Sequence, residues 1–211
     1  MGNLFHIWGE AGTGKTLLAC ALVAEVVRKG HVRWVCADGK QSFAKSLRAN
    51  VGALEVHNIT VNIPRGNQDV RNVILTLTES IHSDTSMVVI DPITRVLDMA
   101  RRDDIMWGVE LLEEALPSLV ALSEMGIKVV LVSEVRNLED KIVPVMHGSI
   151  AVWKPVDLQI VRGSGRSSII LDEGESPLAK MTIDSDGVVT LTTPLEERRR
   201  NECSERSSAT L

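Results

Sequence analysis

Aromatic residues are scarce in this sequence of 211 residues, which has no tyrosine, two phenylalanines and four tryptophans. Proteins that hold single-stranded nucleic acid commonly stack successive bases on aromatic side chains, and this chain has little material for such a surface. An excess of positive charge is missing as well, because the formal net charge is −5. Attachment to nucleic acid by bulk positive charge is therefore excluded, and any contact with DNA must be local.

Cysteines and long apolar runs are also sparse. The three cysteines, Cys20, Cys36 and Cys203, lack the spacing of a metal site, and two of them lie in apolar runs. We interpret them as reduced thiols. No apolar run reaches the roughly 18 residues of a membrane span, and Lys15 falls where the apolar part of a signal peptide would lie. A cytoplasmic protein is therefore expected.

The alternation of patterns between residues 3 and 132 predicts a parallel sheet with crossover helices. Short apolar runs rich in β-formers alternate there with longer segments of helical period. The predicted strands are 3–8, 32–37, 56–61, 87–91 and 127–132, and the predicted helices are 15–29, 42–51, 67–82 and 105–125.

Past residue 155 the pattern changes to strands alone, which are predicted at 156–163, 166–172, 178–184 and 188–192. Glycine-containing turns join them, as is typical of antiparallel hairpins. We therefore predict an α/β fold, with a largely parallel twisted sheet that is flanked by helices and extended by C-terminal antiparallel hairpins. One domain covers residues 1–193, and the polar segment 194–211 is expected to be a disordered tail.

A glycine-rich loop between the first strand and the first helix carries the strongest functional signal. Residues 9–16 read GEAGTGKT and satisfy the pattern G-x-x-x-x-G-K-[ST]. In such a loop backbone N–H groups converge on phosphates, Lys15 reaches the β and γ phosphates, and Thr16 holds Mg²⁺. The sequence thus predicts a site for ATP and Mg²⁺. The residues expected to contact the nucleotide are Gly9, Glu10, Ala11, Gly12, Thr13, Gly14, Lys15, Thr16 and Leu17.

Two aspartates at strand ends complete the predicted site. Asp91 ends the apolar run MVVID and can orient the water shell of Mg²⁺. No acid directly follows Asp91, so a catalytic base next to this metal ligand is missing. Asp38, at the end of strand two in WVCADG, is the candidate base if strand two neighbours the metal strand. An aspartate that only shapes the turn before Gly39 is the competing interpretation.

The ordered set of motifs resembles the RecA/RadA recombinase superfamily, and within it the short archaeal RadA paralogues of the RadB type. The motifs are GEAGTGKT at 9–16, CADG at 36–39, VVIDPITR at 88–95, LVSEVRN at 131–137 and the hairpin series that starts with VDLQIVRG at 156–163. The resemblance spans residues 3–191. It implies a RecA-like core and an accessory role beside a RadA-type recombinase in homologous recombination and DNA repair.

Departures from the family pattern modify these expectations. Where the family usually has a catalytic glutamate this chain has Asp38, which is one methylene shorter, so a weak Mg²⁺-dependent ATPase is expected. Where the family has Asn-Gln at the strand end that senses the γ-phosphate, this chain has Ser133 and Glu134. An ionised carboxylate only accepts hydrogen bonds and is repelled by phosphate, so either the switch is altered or Glu134 has another role. An exposed loop acid is the competing interpretation. The resemblance also predicts a cis peptide bond between Asp91 and Pro92.

The family's two DNA-binding loops correspond here to residues 95–104 and 134–148. The basic candidates in them are Arg95, Arg101, Arg102, Arg136 and Lys141. Aspartates and glutamates lie among these residues, and mixed charge favours a solvated loop. The family's polymerisation segment ahead of the core is expected to be absent, because the first strand begins close to Met1. Weak binding of single-stranded DNA, without strand exchange, is therefore expected.

Two other functions fit the same motifs. A KaiC-like signalling ATPase shares the fold and would carry phosphorylatable serine or threonine near the nucleotide. A nucleotide-gated scaffold would bind ATP without hydrolysing it.

Overall fold

Strands and helices alternate along the first two thirds of this protein, and strands dominate the last third. The computed structural model describes residues 2–39, 43–65, 67–94, 105–139, 141–172 and 175–196. The strands are β1 (Leu4–Gly9), β2 (His31–Cys36), β3 (Ile59–Asn62), β4 (Thr85–Asp91), β5 (Lys128–Ser133), β6 (Val135–Leu138), β7 (Lys141–Pro144), β8 (Val156–Arg162), β9 (Ser167–Asp172), β10 (Ser176–Ile183) and β11 (Val189–Thr192). The helices are α1 (Lys15–Val26), α2 (Phe43–Asn50), α3 (Asn67–Leu75), α4 (Leu77–Ser80), α5 (Ile105–Glu124) and α6 (His147–Ala151), with a 3₁₀ turn at Glu55–Asn58.

A nine-stranded sheet in the order β11-β10-β9-β8-β1-β5-β4-β2-β3 organises the described part of the chain. From β8 to β3 all neighbouring strands are parallel, whereas β8, β9, β10 and β11 pair antiparallel. Strands β6 and β7 form a separate hairpin. The predicted fold class is therefore confirmed.

The central strands are buried on both faces, which explains their nearly continuous apolar runs. On β5, Val130 and Val132 belong to the core beneath α1 and α2, which includes Leu18. Val129 and Leu131 of the same strand alternate to the other face and join the core that contains Leu119 of α5. The sheet is thus held rigid between two layers, and its strand ends can present polar groups in fixed positions.

The predicted helix 67–82 is wrong in one respect, because it is broken at Thr76. The Thr76 hydroxyl donates to the carbonyl oxygen of Asn72, four residues earlier. A threonine that hydrogen-bonds back in this way bends a helix. The segment therefore forms α3 and α4 instead of one helix.

The predicted third strand, 56–61, is also corrected. Its first residues form the 3₁₀ turn Glu55–Asn58, in which the N–H groups of Glu55 and Val56 donate to the Gly52 carbonyl oxygen. Only Ile59–Asn62 pairs with β2. The hydrogen bonds to Gly52 fold the chain into this turn, although the side-chain pattern alone favours a strand from Val56 onwards.

The segment 134–148, predicted as a loop, contains the hairpin of β6 and β7 and the start of α6. Glu139, in the turn between the two strands, has a φ of 47°. Most side chains of this hairpin are exposed, so its sequence lacks the alternation from which strands are recognised.

The beginning of the predicted tail is hydrogen-bonded to Thr193, which directly follows the last strand. The Thr193 N–H and hydroxyl both donate to the Glu196 carboxylate, at 2.8 and 2.9 Å. Residues 197–211 lie outside the described residues, so the division into a core and a disordered tail stays a prediction. None of the helices in the described ranges combines the length and apolar character needed to cross a membrane.

Candidate nucleotide-binding site

A cavity opens at the carboxyl ends of the parallel strands β1, β2, β4 and β5, where ligands bind in open α/β sheets. Its volume is about 440 Å³, within the usual range for small-molecule sites. The residues predicted from the sequence that line it are Gly9, Ala11, Gly12, Lys15, Thr16, Asp38, Asp91 and Glu134. Glu10, Thr13, Gly14 and Leu17 belong to the same loop and helix start but are not part of its lining. One cavity thus collects residues from four separate segments of sequence.

The loop backbone adopts conformations that favour glycine. Gly9 and Gly14 have φ values of 152° and 98°. A Cβ on Gly9 would lie 2.2 Å from the carbonyl oxygen of Ile160, and one on Gly14 would lie 2.5 Å from Cε of Met181. The loop therefore packs directly on β8 and β10. Both glycines suit their backbone conformation, and Gly9 is also needed for shape because a Cβ there would meet a backbone atom.

Replacing Gly9 by alanine is expected to lower the free energy of unfolding by about 3 kcal/mol, because the variant combines backbone strain with overlap against a backbone oxygen. Urea unfolding measures the effect. Gly148→Ala is the matched control, since a Cβ there meets nothing within 4 Å and no positive φ is involved. Equal stability of the two variants would show that the loop is not packed in this way.

Lys15 begins α1 and is held over the loop. Its Nζ donates to the carbonyl oxygens of Gly9 and Glu10, at 2.6 and 2.9 Å. Burial lowers the pKa of Lys15, although the carboxylates of Asp91, Glu134 and Glu10 raise it. A bound phosphate would place negative charge beside this partly desolvated ammonium group and favour its charged form. The geometry therefore suits a lysine that transfers its hydrogen bonds to phosphate oxygens.

Thr16 and Asp91, the two predicted metal ligands, lie next to each other. The Thr16 hydroxyl donates to Oδ2 of Asp91 at 2.8 Å, and Asp91 is 9% exposed. The described residues contain no group of three or more His, Cys, Asp or Glu arranged to hold a metal. Mg²⁺ is commonly bound by one or two carboxylates together with phosphate oxygens and water, so this pair of oxygen ligands fits Mg²⁺ beside a nucleotide. The Asp91–Pro92 peptide bond is cis, as predicted.

Asp38 meets the geometric condition for a catalytic base. Strand β2 is the direct neighbour of β4, with Cys36 opposite Asp91, and Asp38 follows β2 into the cavity. The Cys36 thiol donates to Oδ1 of Asp38 at 3.5 Å. Burial, together with the carboxylates of Asp38 and Asp91, raises the pKa of Cys36 to about 12. The neutral thiol therefore acts as a donor that orients the Asp38 carboxylate, whose catalytic role stays a prediction.

Glu134 follows β5 directly and lies at the cavity wall. Its backbone N–H donates to the Thr94 hydroxyl at 3.2 Å, which links the end of β5 to the segment after Asp91. Its carboxylate is near enough to Lys15 to raise that residue's pKa. Glu134 is half-buried rather than exposed, which favours the altered switch over the exposed loop acid, and its role stays a prediction.

Residues of the C-terminal strands contact the phosphate loop and were missed by the sequence motifs. Arg162 Nη2 donates to the Ala11 carbonyl oxygen at 3.4 Å. The Ser168 hydroxyl donates to the Thr13 carbonyl oxygen at 2.6 Å in a buried bond. No local pattern marks these residues, because their role depends on the pairing of β8 with β1.

The predicted DNA-binding residues are only partly placed. Arg136 on β6 and Lys141 on β7 are exposed on the same hairpin. Arg95, Arg101 and Arg102 lie outside the described residues. The structure therefore brings together two of the five candidate cations.

Similarities to known proteins agree with the fold and the site. Residues 1–137 match the family model described as AAA domain. The chain is 23% identical over 143 residues to the RecA proteins of Mesomycoplasma hyopneumoniae strains 7448 and 232, an overlap of 64% of this chain and 41% of each RecA. It thus spans about two fifths of the length of these relatives. The chain is also similar to the crystal structure of the RadB recombinase, with a TM-score of 0.68 at 18% identity. The alignment covers 89% of this chain and 90% of the RadB chain. The predicted RecA-like fold and the resemblance to the RecA/RadA superfamily, including RadB, are confirmed.

Proposed function

This chain belongs to the AAA domain family, and on that premise we propose that it binds ATP with Mg²⁺, hydrolyses it slowly and acts as an accessory factor in homologous recombination and DNA repair. The observation that carries the proposal is the single cavity in which Lys15, Thr16 and Asp91 meet Asp38. These groups come from different strand ends, and each has a distinct task in phosphoryl transfer.

In the proposed reaction, each step of hydrolysis falls to residues that line or flank the cavity. The loop Gly9–Gly14 presents its N–H groups to the β and γ phosphates, and Lys15 offsets their charge. Thr16 and Asp91 would hold Mg²⁺, which further neutralises the phosphate oxygens when bound. Asp38 orients the attacking water and accepts its proton. Slow turnover follows because the short Asp38 side chain holds the water less closely than a glutamate would.

The recombination role rests on resemblance. RecA proteins and the RadB recombinase are among the proteins to which this chain is similar, and the sequence motifs point to the same superfamily. An accessory role is favoured over strand exchange because the candidate DNA contacts are few and mixed with acids. Of these contacts, Arg136 and Lys141 share the hairpin with the exposed Glu139. A RadA-type recombinase is the proposed protein partner, and ATP and single-stranded DNA are the proposed ligands.

A nucleotide-gated scaffold is the second candidate, and Glu134 favours it. This carboxylate lies at the cavity near Lys15, where it would repel a γ-phosphate. Single-turnover hydrolysis of ATP separates the two, since the scaffold would return all bound ATP unchanged. Identification of a co-purified recombinase by mass spectrometry would separate the accessory factor from a KaiC-like signalling ATPase.

Strand exchange by this protein alone is expected to be undetectable in a joint-molecule assay in which a RadA-type recombinase serves as the positive control. DNA binding should be weak and should fall further as salt rises, because few phosphates can be neutralised. Addition of the protein to the recombinase reaction should change its yield. Efficient strand exchange without the recombinase would contradict the accessory role.

A further inference from the structure

A buried polar cluster lies beside the nucleotide cavity and has no part in the functions assigned above. It consists of His6, Trp8, Ser133 and Asp157, called here the His6 cluster. His6 Nδ1 is 2.7 Å from Oδ1 of Asp157, and His6 Nε2 is 2.9 Å from the Ser133 hydroxyl. The Trp8 indole N–H donates to Oδ2 of Asp157 at 3.0 Å. Strands β1, β5 and β8 each contribute to this cluster.

The serine, histidine and aspartate follow the order of a nucleophilic triad, but the cluster cannot act as one. Ser133 and His6 are 0% and 1% exposed. Val132 and Glu134, the neighbours of Ser133, line the nucleotide cavity, and Ser133 does not. Alternation along the strand directs Ser133 to the opposite face of the sheet. Its hydroxyl is therefore closed to any substrate.

The direction of the hydrogen bonds follows from the charge of Asp157. Burial raises the pKa of Asp157, but the hydrogen bond and charge of His6, the Trp8 indole and His147 lower it, and the net shift is downward. The ionised carboxylate can only accept, so His6 donates from Nδ1. His6 Nε2 bonds the Ser133 hydroxyl at 2.9 Å, and the hydroxyl can serve this bond as donor or as acceptor. Asp157 thereby orients His6, and His6 orients Ser133.

Ser133 is the last residue of β5, and Glu134 directly follows it. The Glu134 N–H donates to the Thr94 hydroxyl at 3.2 Å, in the segment that follows β4. The Ser133 hydroxyl is bonded to His6 of β1. Two adjacent residues are thus each held by a hydrogen bond to a neighbouring segment at the point where the chain enters the cavity.

We propose that His6 is a positioning residue of the nucleotide site, which holds Glu134 in the cavity through its hydrogen bond to Ser133. This inference rests on the proposed function of the cavity as an ATPase site. In the hydrolysing protein the Glu134 carboxylate acts by orienting the Lys15 ammonium group, whose pKa it raises, and this effect outweighs its repulsion of the γ-phosphate. A displacement of about 1 Å at such a group is enough to lower a rate severalfold or more. His6 itself does not line the cavity.

Two amide variants of His6 test the proposal because they keep different halves of the ring. In His6→Asn the amide can replace Nδ1 towards Asp157 but falls short of Ser133. In His6→Gln the amide reaches the position of Nε2 and can bond Ser133. His6→Asn should lower kcat for ATP about tenfold and leave the Kd for Mg-ATP within about twofold, whereas His6→Gln should retain most of the wild-type rate.

Two further variants separate positioning from a general loss of packing. Ser133→Ala removes only the hydroxyl and should reproduce the His6→Asn loss. Trp8→Phe removes the other donor to Asp157 while the bond between His6 and Ser133 remains, and it should keep the wild-type rate. In a Glu134→Gln background, His6→Asn should cause no additional loss, because both changes act through one carboxylate.

Crystal structures of the wild type and of His6→Asn give a readout that does not depend on hydrolysis. Glu134 displaced by about 1 Å in the variant supports the proposal, even if the wild type fails to hydrolyse ATP and the proposed function is lost. An unmoved Glu134, or losses that multiply in the double variant, would overturn it. Equal rates for His6→Asn and His6→Gln would do the same.

Discussion

Replacing Lys15 by alanine is expected to lower the rate of ATP hydrolysis at least about 100-fold and to weaken ATP binding. Removal of one charge-stabilising donor from an active site typically costs that much. In the structure Lys15 Nζ lies over the loop, bonded to the carbonyl oxygens of Gly9 and Glu10. No other lysine or arginine belongs to the described lining of the cavity. Single-turnover hydrolysis and equilibrium titration with Mg-ATP measure the two effects.

Lys29→Ala is the matched control for this prediction. Lys29 is an exposed lysine in the turn after α1, away from the cavity, and its loss should leave both measurements unchanged. Binding and turnover at the wild-type level in Lys15→Ala would remove the basis for the whole site.

Asp38 is expected to control the rate without controlling binding. Asp38→Asn should lower kcat about 100-fold, since a positioned general base contributes on that order, while the Kd for Mg-ATP stays within about twofold. Asp38→Glu extends the carboxylate by one methylene and should raise kcat above the wild-type value. Rapid-quench measurement of phosphate release compares the three proteins.

The competing role of Asp38, as a residue that only shapes the turn before Gly39, predicts a different result. Both substitutions would then change stability and leave kcat nearly unaltered. The contact of Asp38 with the Cys36 thiol provides a further check, because Cys36→Ala removes the donor that orients the carboxylate. A loss of kcat in Cys36→Ala that disappears in the Asp38→Asn background would assign the effect to positioning.

The local part of the site could be predicted from the sequence. The phosphate loop is a continuous motif between a strand and a helix, so Lys15 and Thr16 are recognisable by spacing alone. Asp91 ends an apolar strand, and its link to Thr16 at 2.8 Å follows once that strand is central. The predicted position of Asp38 depended on strand order, and the pairing of β2 with β4 meets that condition.

Contacts between segments distant in sequence could not be predicted. The bond between Ser168 and the Thr13 carbonyl oxygen joins residues that are 155 positions apart. The His6 cluster likewise needs the adjacency of β1 with both β5 and β8. A lone histidine in an apolar strand gives no sign of such partners, and neither does an aspartate after Val156.

The hairpin of β6 and β7 shows a second limit. Val135 and Val143 are only half-buried, and Arg136, Asn137 and Lys141 are exposed. A strand that buries little on either face lacks the alternation from which strands are recognised. Pairing between its own backbone groups stabilises the hairpin, and side-chain patterns record that pairing only weakly.

The most direct test of the central claim is an equilibrium titration of the purified protein with ATP, with and without Mg²⁺, in which the heat of binding is measured by calorimetry. The account predicts saturable binding at one site per chain, stronger with Mg²⁺, and lost in Lys15→Ala. Absence of saturable ATP binding by the wild-type protein would contradict it.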